Sequence, residues 1–221
     1  MNFLDDLFNS KSSLPLEKIS EMIAIDLYWQ IIENSLATAD NLKEQEINLI
    51  NELSLLTAED IIGFKLRTDF FMFHSYLSDL WYAAIIMNEE CSDLGFESFR
   101  YWLISQGKDI YANAMMNPDN LAKYFEDGFN EEDLYEFENF GAITENVFTK
   151  IFNHNIHDYI DYENFFYQKK NYSEMNINWE EDNNSIFQAI CPKLFHIFIE
   201  NISEYDDSDD DDDQSDEFDI D

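Results

Sequence analysis

Hydrophobic and polar positions follow the helical period through most of this chain. Ile25, Tyr28, Trp29, Ile32 and Leu36 stand at i, i+3, i+4, i+7 and i+11, which makes one broad apolar face. After Asp40, Leu42, Leu49, Leu53 and Leu56 outline a second helix with Lys43 and Glu44 turned outward. Thr57, with an acid three residues on, predicts the N-cap of a third helix carrying Ile61, Phe64, Leu66, Phe70 and Phe71. Residues 76–87 are apolar apart from Ser78 and Asp79, and this stretch is expected to be the central, most buried helix. Residues 92–107 predict the next. Ser92 or Asp93 can accept the free N–H groups of its first turn, and Phe96, Phe99 and Leu103 give it a core-facing stripe. Gly107 can end it in a left-handed conformation.

A further helix spans residues 108–116 and stops at Asn117. Pro118 then falls in the first turn of the following one, where its missing N–H costs nothing. Gly128-Phe129-Asn130 breaks the pattern, and Asn130 predicts the cap of a long Phe- and Tyr-rich helix over 131–152. Residues 1–20 read as a leader with mixed signals and 153–182 as irregular. Residues 185–199 read as helical with an interruption at Pro192. The expected fold is all-α: one multi-helix domain over 21–203, about seven to nine helices packed as antiparallel neighbours.

Composition sharpens this picture. Twenty Phe, twelve Tyr and four Trp supply a large aromatic core, and only five Gly and three Pro punctuate it, which favours long helices. The net charge is −36. Residues 204–221 hold 12 acids and no base, so the other 203 residues keep 36 acids against 12 bases, a net of −24. Such a run of like charge cannot bury enough surface to fold, and the tail is expected to be disordered. Acidity on this scale argues against direct nucleic-acid binding, because a phosphate backbone needs a basic footprint. Opposite potentials steer encounter, so the natural counterpart is a basic protein. No apolar run reaches the roughly 18–20 residues of a membrane span. The amino terminus has no basic region followed by an apolar stretch, and Cys91 and Cys191 form no disulfide framework. A cytoplasmic protein is the expectation.

Candidate chemistry centres on Arg100, one of two arginines, set between Phe99 and Tyr101-Trp102. A guanidinium there needs an acid, and Asp79, Asp93, Glu97 and Asp119 are the candidates. It either fixes two helices as a core ion pair or grips a carboxylate or phosphate of a ligand. In the second case Asp79, Trp81, Ser92, Asp93, Arg100 and Gln106 would wall a pocket, with His74 nearby. Cys91 has Ser92 and Asp93 beside it but no histidine close in sequence, so it reads as a buried thiol rather than a nucleophile. His154, His157 and Asp158 have i, i+3, i+4 spacing without a metal-site signature around them. No glycine-rich phosphate loop occurs. The reading therefore assigns no catalytic residue, cofactor or metal.

Asp79-Leu80-Trp81-Tyr82-Ala83-Ala84, the run from Cys91 to Gly107, and Asn117-Pro118-Asp119-Asn120-Leu121 together resemble the bacterial domain-of-unknown-function family 4240. Weaker echoes extend the resemblance over roughly residues 25–200. It implies the helical fold and the domain limits and supplies no activity. Where that family usually has Gly-Gly-Cys-Ser-Asp-Asp, this chain has Glu89-Glu90-Cys91-Ser92-Asp93-Leu94. The leading expectation is a non-enzymatic acidic binding module, immunity- or antitoxin-like, that blocks a cationic protein. A nucleic-acid mimic and a small-ligand sensor or enzyme are the alternatives. Truncation after Ser203 should leave the melting temperature equal or slightly raised, because repulsion falls while no core is lost. A clear drop in a thermal melt would show that the tail docks on the domain.

Overall fold

The computed structural model describes residues 14–125, 134–165, 175 and 183–200. Among them the architecture is all-α, with one isolated bridge between extended residues. Helix α1 (Ile25–Leu36) buries Tyr28, Trp29, Ile31 and Ile32. Ile25, expected on that face, is 45% exposed in the first turn, and Ile31 takes its place in the core. Helix α2 (Leu42–Ser54) lies along α1, and its first turn is capped by the Asn41 side chain, which accepts from Glu44 N at 3.0 Å.

Helix α3 (Ala58–His74) begins on a reciprocal cap. Thr57 Oγ1 accepts from Asp60 N at 3.2 Å and donates to the Asp60 carboxylate at 2.9 Å. Its Ile61, Ile62, Gly63, Phe64 and Leu66 are all buried, so it packs on more than one side. The preceding strap is pinned to it. Ile23 N donates to Gly63 O at 3.0 Å, and Arg67 donates through Nε and Nη2 to Ile23 O at 3.1 and 2.8 Å. Helix α4 (Ser78–Asn88) is buried from Leu80 through Asn88, as a central helix should be. It starts two residues later than expected, with Tyr76 and Leu77 in the turn.

Helices α5 (Asp93–Ser105) and α6 (Lys108–Met116) follow. Gly107 joins them at φ +92°, ψ 175°. That is positive φ with an extended ψ rather than the left-handed helical value, a combination open in practice to glycine. Pro118–Tyr124 continues as a 3-10 helix, with Asn117 accepting from Asp119 N at 3.1 Å.

The long helix expected over 131–152 is corrected. Asn130 and residues 131–133 lie outside the described residues, Leu134–Glu138 is non-helical, and helix α7 (Phe140–Phe152) starts only at Phe140. Tertiary hydrogen bonds hold this stretch: Tyr135 N donates to Asn88 Oδ1 at 2.8 Å and Phe137 N to Ser98 O at 3.0 Å. Tyr135 and Phe137 are buried while Leu134 and Glu138 are exposed, the two-residue period of an extended segment.

Beyond α7, a 3-10 turn (Ile156–Tyr159) leads to the single-turn α8 (Tyr162–Phe165). Between them Ile160 pairs in parallel with Ile19: Ile19 N donates to Tyr159 O at 2.9 Å and Asp161 N to Ile19 O at 2.8 Å. Part of the expected leader is therefore docked. Near the other end, α9 (Asn183–Ile190) breaks at Cys191, and α10 (Pro192–Phe195) runs into a wide helical turn at His196–Glu200. Asp119 is buried and holds this unit, its Oδ1 accepting from Lys193 N and Leu194 N at 2.8 and 3.0 Å. The expected limit at 203 and the acidic tail lie outside the described residues. No described helix is long and apolar enough to cross a membrane.

A methyl group on Gly63 would stand 2.7 Å from Ile23 N, a backbone atom held by its own hydrogen bond. Gly63→Ala should destabilise by about 1–3 kcal/mol in urea unfolding, despite the better helix propensity of alanine. Stability equal to the parent would show that the strap can move away at no cost.

Candidate functional site

Helix α5 organises the region that carries the sequence candidates. Ser92 caps it, accepting from Gly95 N at 3.1 Å. Asp93 is exposed in the first turn, where a negative charge complements the positive helix end. Trp81 approaches from α4, donating from Nε1 to Cys91 O at 3.0 Å and stacking on Phe96 with centroids 4.6 Å apart.

One turn further along, Arg100 is 8% exposed. It donates from Nε to Phe96 O at 3.2 Å and from Nη1 to Met72 O at 2.7 Å, and its guanidinium lies over the Phe96 and Tyr76 rings at 4.8 and 5.1 Å. Met72 O belongs to the last turn of α3, where the helix runs out of N–H donors, and Ser75 Oγ reaches it from the cap at 3.3 Å. Phe71 O beside it accepts from Ser75 Oγ at 2.9 Å and Tyr111 Oη at 2.9 Å. Arg100 is thus a positively charged cap on the negative end of α3. The acids expected to serve it have other places. Asp119 holds α10, while Asp79, Asp93 and Glu97 are exposed.

The expected pocket walls do not converge. Ser92 and Gln106 sit at opposite ends of α5, about 20 Å apart by helical rise. Gln106 donates to Ser105 Oγ at 3.1 Å, and His74 is exposed, bonded through Nδ1 to Phe70 O at 2.8 Å. Arg100 and Trp81 are packed in the core around Phe96, and Asp79 opens onto a separate cavity. His154 and His157 also diverge. His154 stands edge-on to Tyr159, whereas His157 touches Tyr162 Oη through Nδ1 and Glu145 through Nε2 at 3.3 Å.

What α5 does gather is acid. Glu89 and Glu90 precede it, Asp93 and Glu97 project from it, and Phe137 N on Ser98 O lays Glu136 and Glu138 beside it. Glu136 Oε1 lies so close to Gly95 that a methyl group there would meet it at 2.9 Å. Burial, and then Glu138, raise the Glu136 carboxyl above the usual range. Burial, and then Glu136, push the Cys91 thiol up to about 12, so at neutral pH it stays protonated and is a poor nucleophile. None of the six carboxylates joins an ion pair among the described residues. Among them Leu94 is 76% and Leu134 64% exposed. Glu89 adopts φ +64°, a value that ordinarily suits glycine, and holds it with a carboxylate side chain.

Nothing in the residue types of Leu134, Glu136 and Glu138 marks them out, because the aromatic run around them has the composition of a helix. The alternation in Leu134-Tyr135-Glu136-Phe137-Glu138 was the available signal.

A family model described as Protein of unknown function (DUF4240) matches residues 24–150, and the chain belongs to this family. No curated protein and no solved structure matches the chain.

Arg100→Ala should destabilise by about 2–5 kcal/mol, since it strips a buried charged donor from the end of α3 and leaves Met72 O only the long contact from Ser75 Oγ at 3.3 Å. Arg100→Lys should recover only part of this, because an ammonium cannot reach both carbonyls with a planar fork. Urea denaturation of both variants checks it; a fully stable Arg100→Ala protein would remove the capping role.

Proposed function

We propose that this member of the family is a non-catalytic binding protein that docks a basic protein on the acidic edge formed by α5, the loop before it and residues 134–138. One observation carries the reading: six carboxylates free of ion pairs among the described residues stand on the same three segments as the exposed Leu94 and Leu134. Such an edge offers both parts of a specific interface, apolar anchors that are desolvated on docking and a charged rim that selects the partner. The chain as a whole, at a net charge of −36, extends the same field.

In this reading the protein acts as an immunity- or antitoxin-like module in the cytoplasm, covering the active surface of a cationic effector such as a nuclease. Carboxylates speed the encounter, and the two leucines set how long the complex lasts. The interleaving of apolar and acidic positions favours a protein partner over mimicry of a phosphate backbone, whose contacts are mainly electrostatic. A neutral Cys91 thiol within the same edge supports binding rather than chemistry there.

The test is affinity capture from lysate at low and high salt, with three proteins as bait. These are the parent, an edge variant (Glu90→Lys, Asp93→Lys, Glu97→Lys) and a control with the same net charge (Glu17→Lys, Glu21→Lys, Glu33→Lys). The parent and control should retain a basic protein at low salt and release it at high salt, and the edge variant should lose it. For the isolated pair, edge reversal should lower the on-rate by on the order of tenfold, while Leu94→Ala should mainly raise the off-rate. Equal retention by the edge and control variants would reject this surface as the interface.

A further inference from the structure

A second site lies away from the acidic edge, between the start of α4 and the end of α6. There a half-open cavity of about 320 Å³ is lined by Tyr76, Asp79, Met115, Met116, Pro118 and Met175, among other described residues. We infer that this cavity binds a small organic cation, an alkyl-ammonium or alkyl-guanidinium group of the size of a lysine or arginine side chain.

Size comes first: the volume stands at the lower end of the roughly 300–1,000 Å³ of small-molecule sites, enough for a short alkyl chain with a charged head. The lining chemistry follows. Three thioethers are soft and polarizable and adapt to an alkyl stem, and the Tyr76 ring, which already carries the Arg100 guanidinium at 5.1 Å, closes the wall beside them. Met116 is 74% exposed at the rim, an apolar side chain held in water beside a cavity that could cover it.

Charge selects the head group. Asp79 is the one acidic or basic residue among the described lining residues, and it joins no ion pair among the described residues. It occupies the first turn of α4, whose N-cap Leu77 supplies no side-chain acceptor, so its carboxylate offsets the positive end of that helix. Helix α6 contributes the opposite end, its last residues Met115 and Met116 bringing the negative pole of the helix to the cavity. Asp119 lies buried next to Pro118, and the Cys191 thiol is pushed up to about 12 by burial, then by Asp119 and Asp79. Asp119 is turned to the Lys193 and Leu194 N–H groups, so Asp79 is the carboxylate that faces the cavity and favours a cation there. This inference is independent of the proposed interface: the cavity and the edge share no named residue, and a free small molecule tests it without any protein partner.

The experiment is a titration of the full chain, carrying 13C-methyl methionine, with n-butylguanidinium, and with n-butylurea as a neutral probe of the same shape. n-Butylguanidinium should give saturable shifts at the Met115, Met116 and Met175 methyls and leave the other methionines of the seven in place. Asp79→Asn, which keeps the size of the side chain, should weaken this binding about fivefold, and n-butylurea should bind the parent no better than n-butylguanidinium binds that variant. Absence of saturable shifts would overturn the inference. Equal binding of the two probes to the parent would also overturn it, by reducing the cavity to an apolar hollow, and that comparison stands even if Asp79→Asn does not fold.

Discussion

The buried carbonyl end of α3 is the constraint around which the helices are arranged. Its last carbonyls lie away from water, and a buried acceptor without a donor costs about 1–3 kcal/mol. Met72 O takes its donors from Arg100 on α5 and, at 3.3 Å, from Ser75 Oγ, while Phe71 O, already bonded to Ser75 N, takes Tyr111 Oη on α6 as a further donor. To reach Met72 and Phe71, α5 and α6 must cross that end at fixed positions. The Arg100 guanidinium then lies over Phe96, which brings α4 in through the Trp81 stack. One polar requirement thus sets the relative placement of four helices, and the aromatic core fills the space that it defines.

This arrangement accounts for the separation between the conspicuous residues and the exposed ones. Arg100, Trp81 and Ser92 serve the frame, so their freedom to meet a ligand is small. The frame in turn fixes α5 with its first turn outward and gives residues 134–138 a backbone acceptor at Ser98. The carboxylates of the acidic edge therefore stand on rigid supports, and an interface on such supports loses little side-chain and loop freedom when it docks.

Helical periodicity and capping chemistry revealed most of the frame. Thr57, Ser92 and Gly107 announced their helix ends because each acts within a turn or two of its own position. The expectations failed where distant partners decide. Residues 134–138 are aromatic enough to read as helix, yet Asn88 and Ser98 draw their N–H groups into an extended path. Asp119 looked like a counter-ion for Arg100 and instead caps a helix more than seventy residues away. The candidate pocket failed for the same reason: its members share a stretch of sequence, but α5 separates Ser92 from Gln106 by its whole length. Neither the acidic edge nor the methionine-lined cavity has a motif, because each is assembled from segments that meet only in the folded chain.

The pairing of Ile19 with Ile160 bears on the order in which the chain assembles. These residues flank the segment that matches the family, residues 24–150, and Ile19 bonds to Tyr159 O and Asp161 N, on either side of Ile160, across about 140 positions. Closing so long a loop from an open chain is entropically costly, whereas the helices between them form from local contacts. Once those helices have packed, the two flanks are already neighbours and the closure becomes nearly local. Loop-closure entropy therefore makes the clasp a contact that is cheap only after the interior has packed.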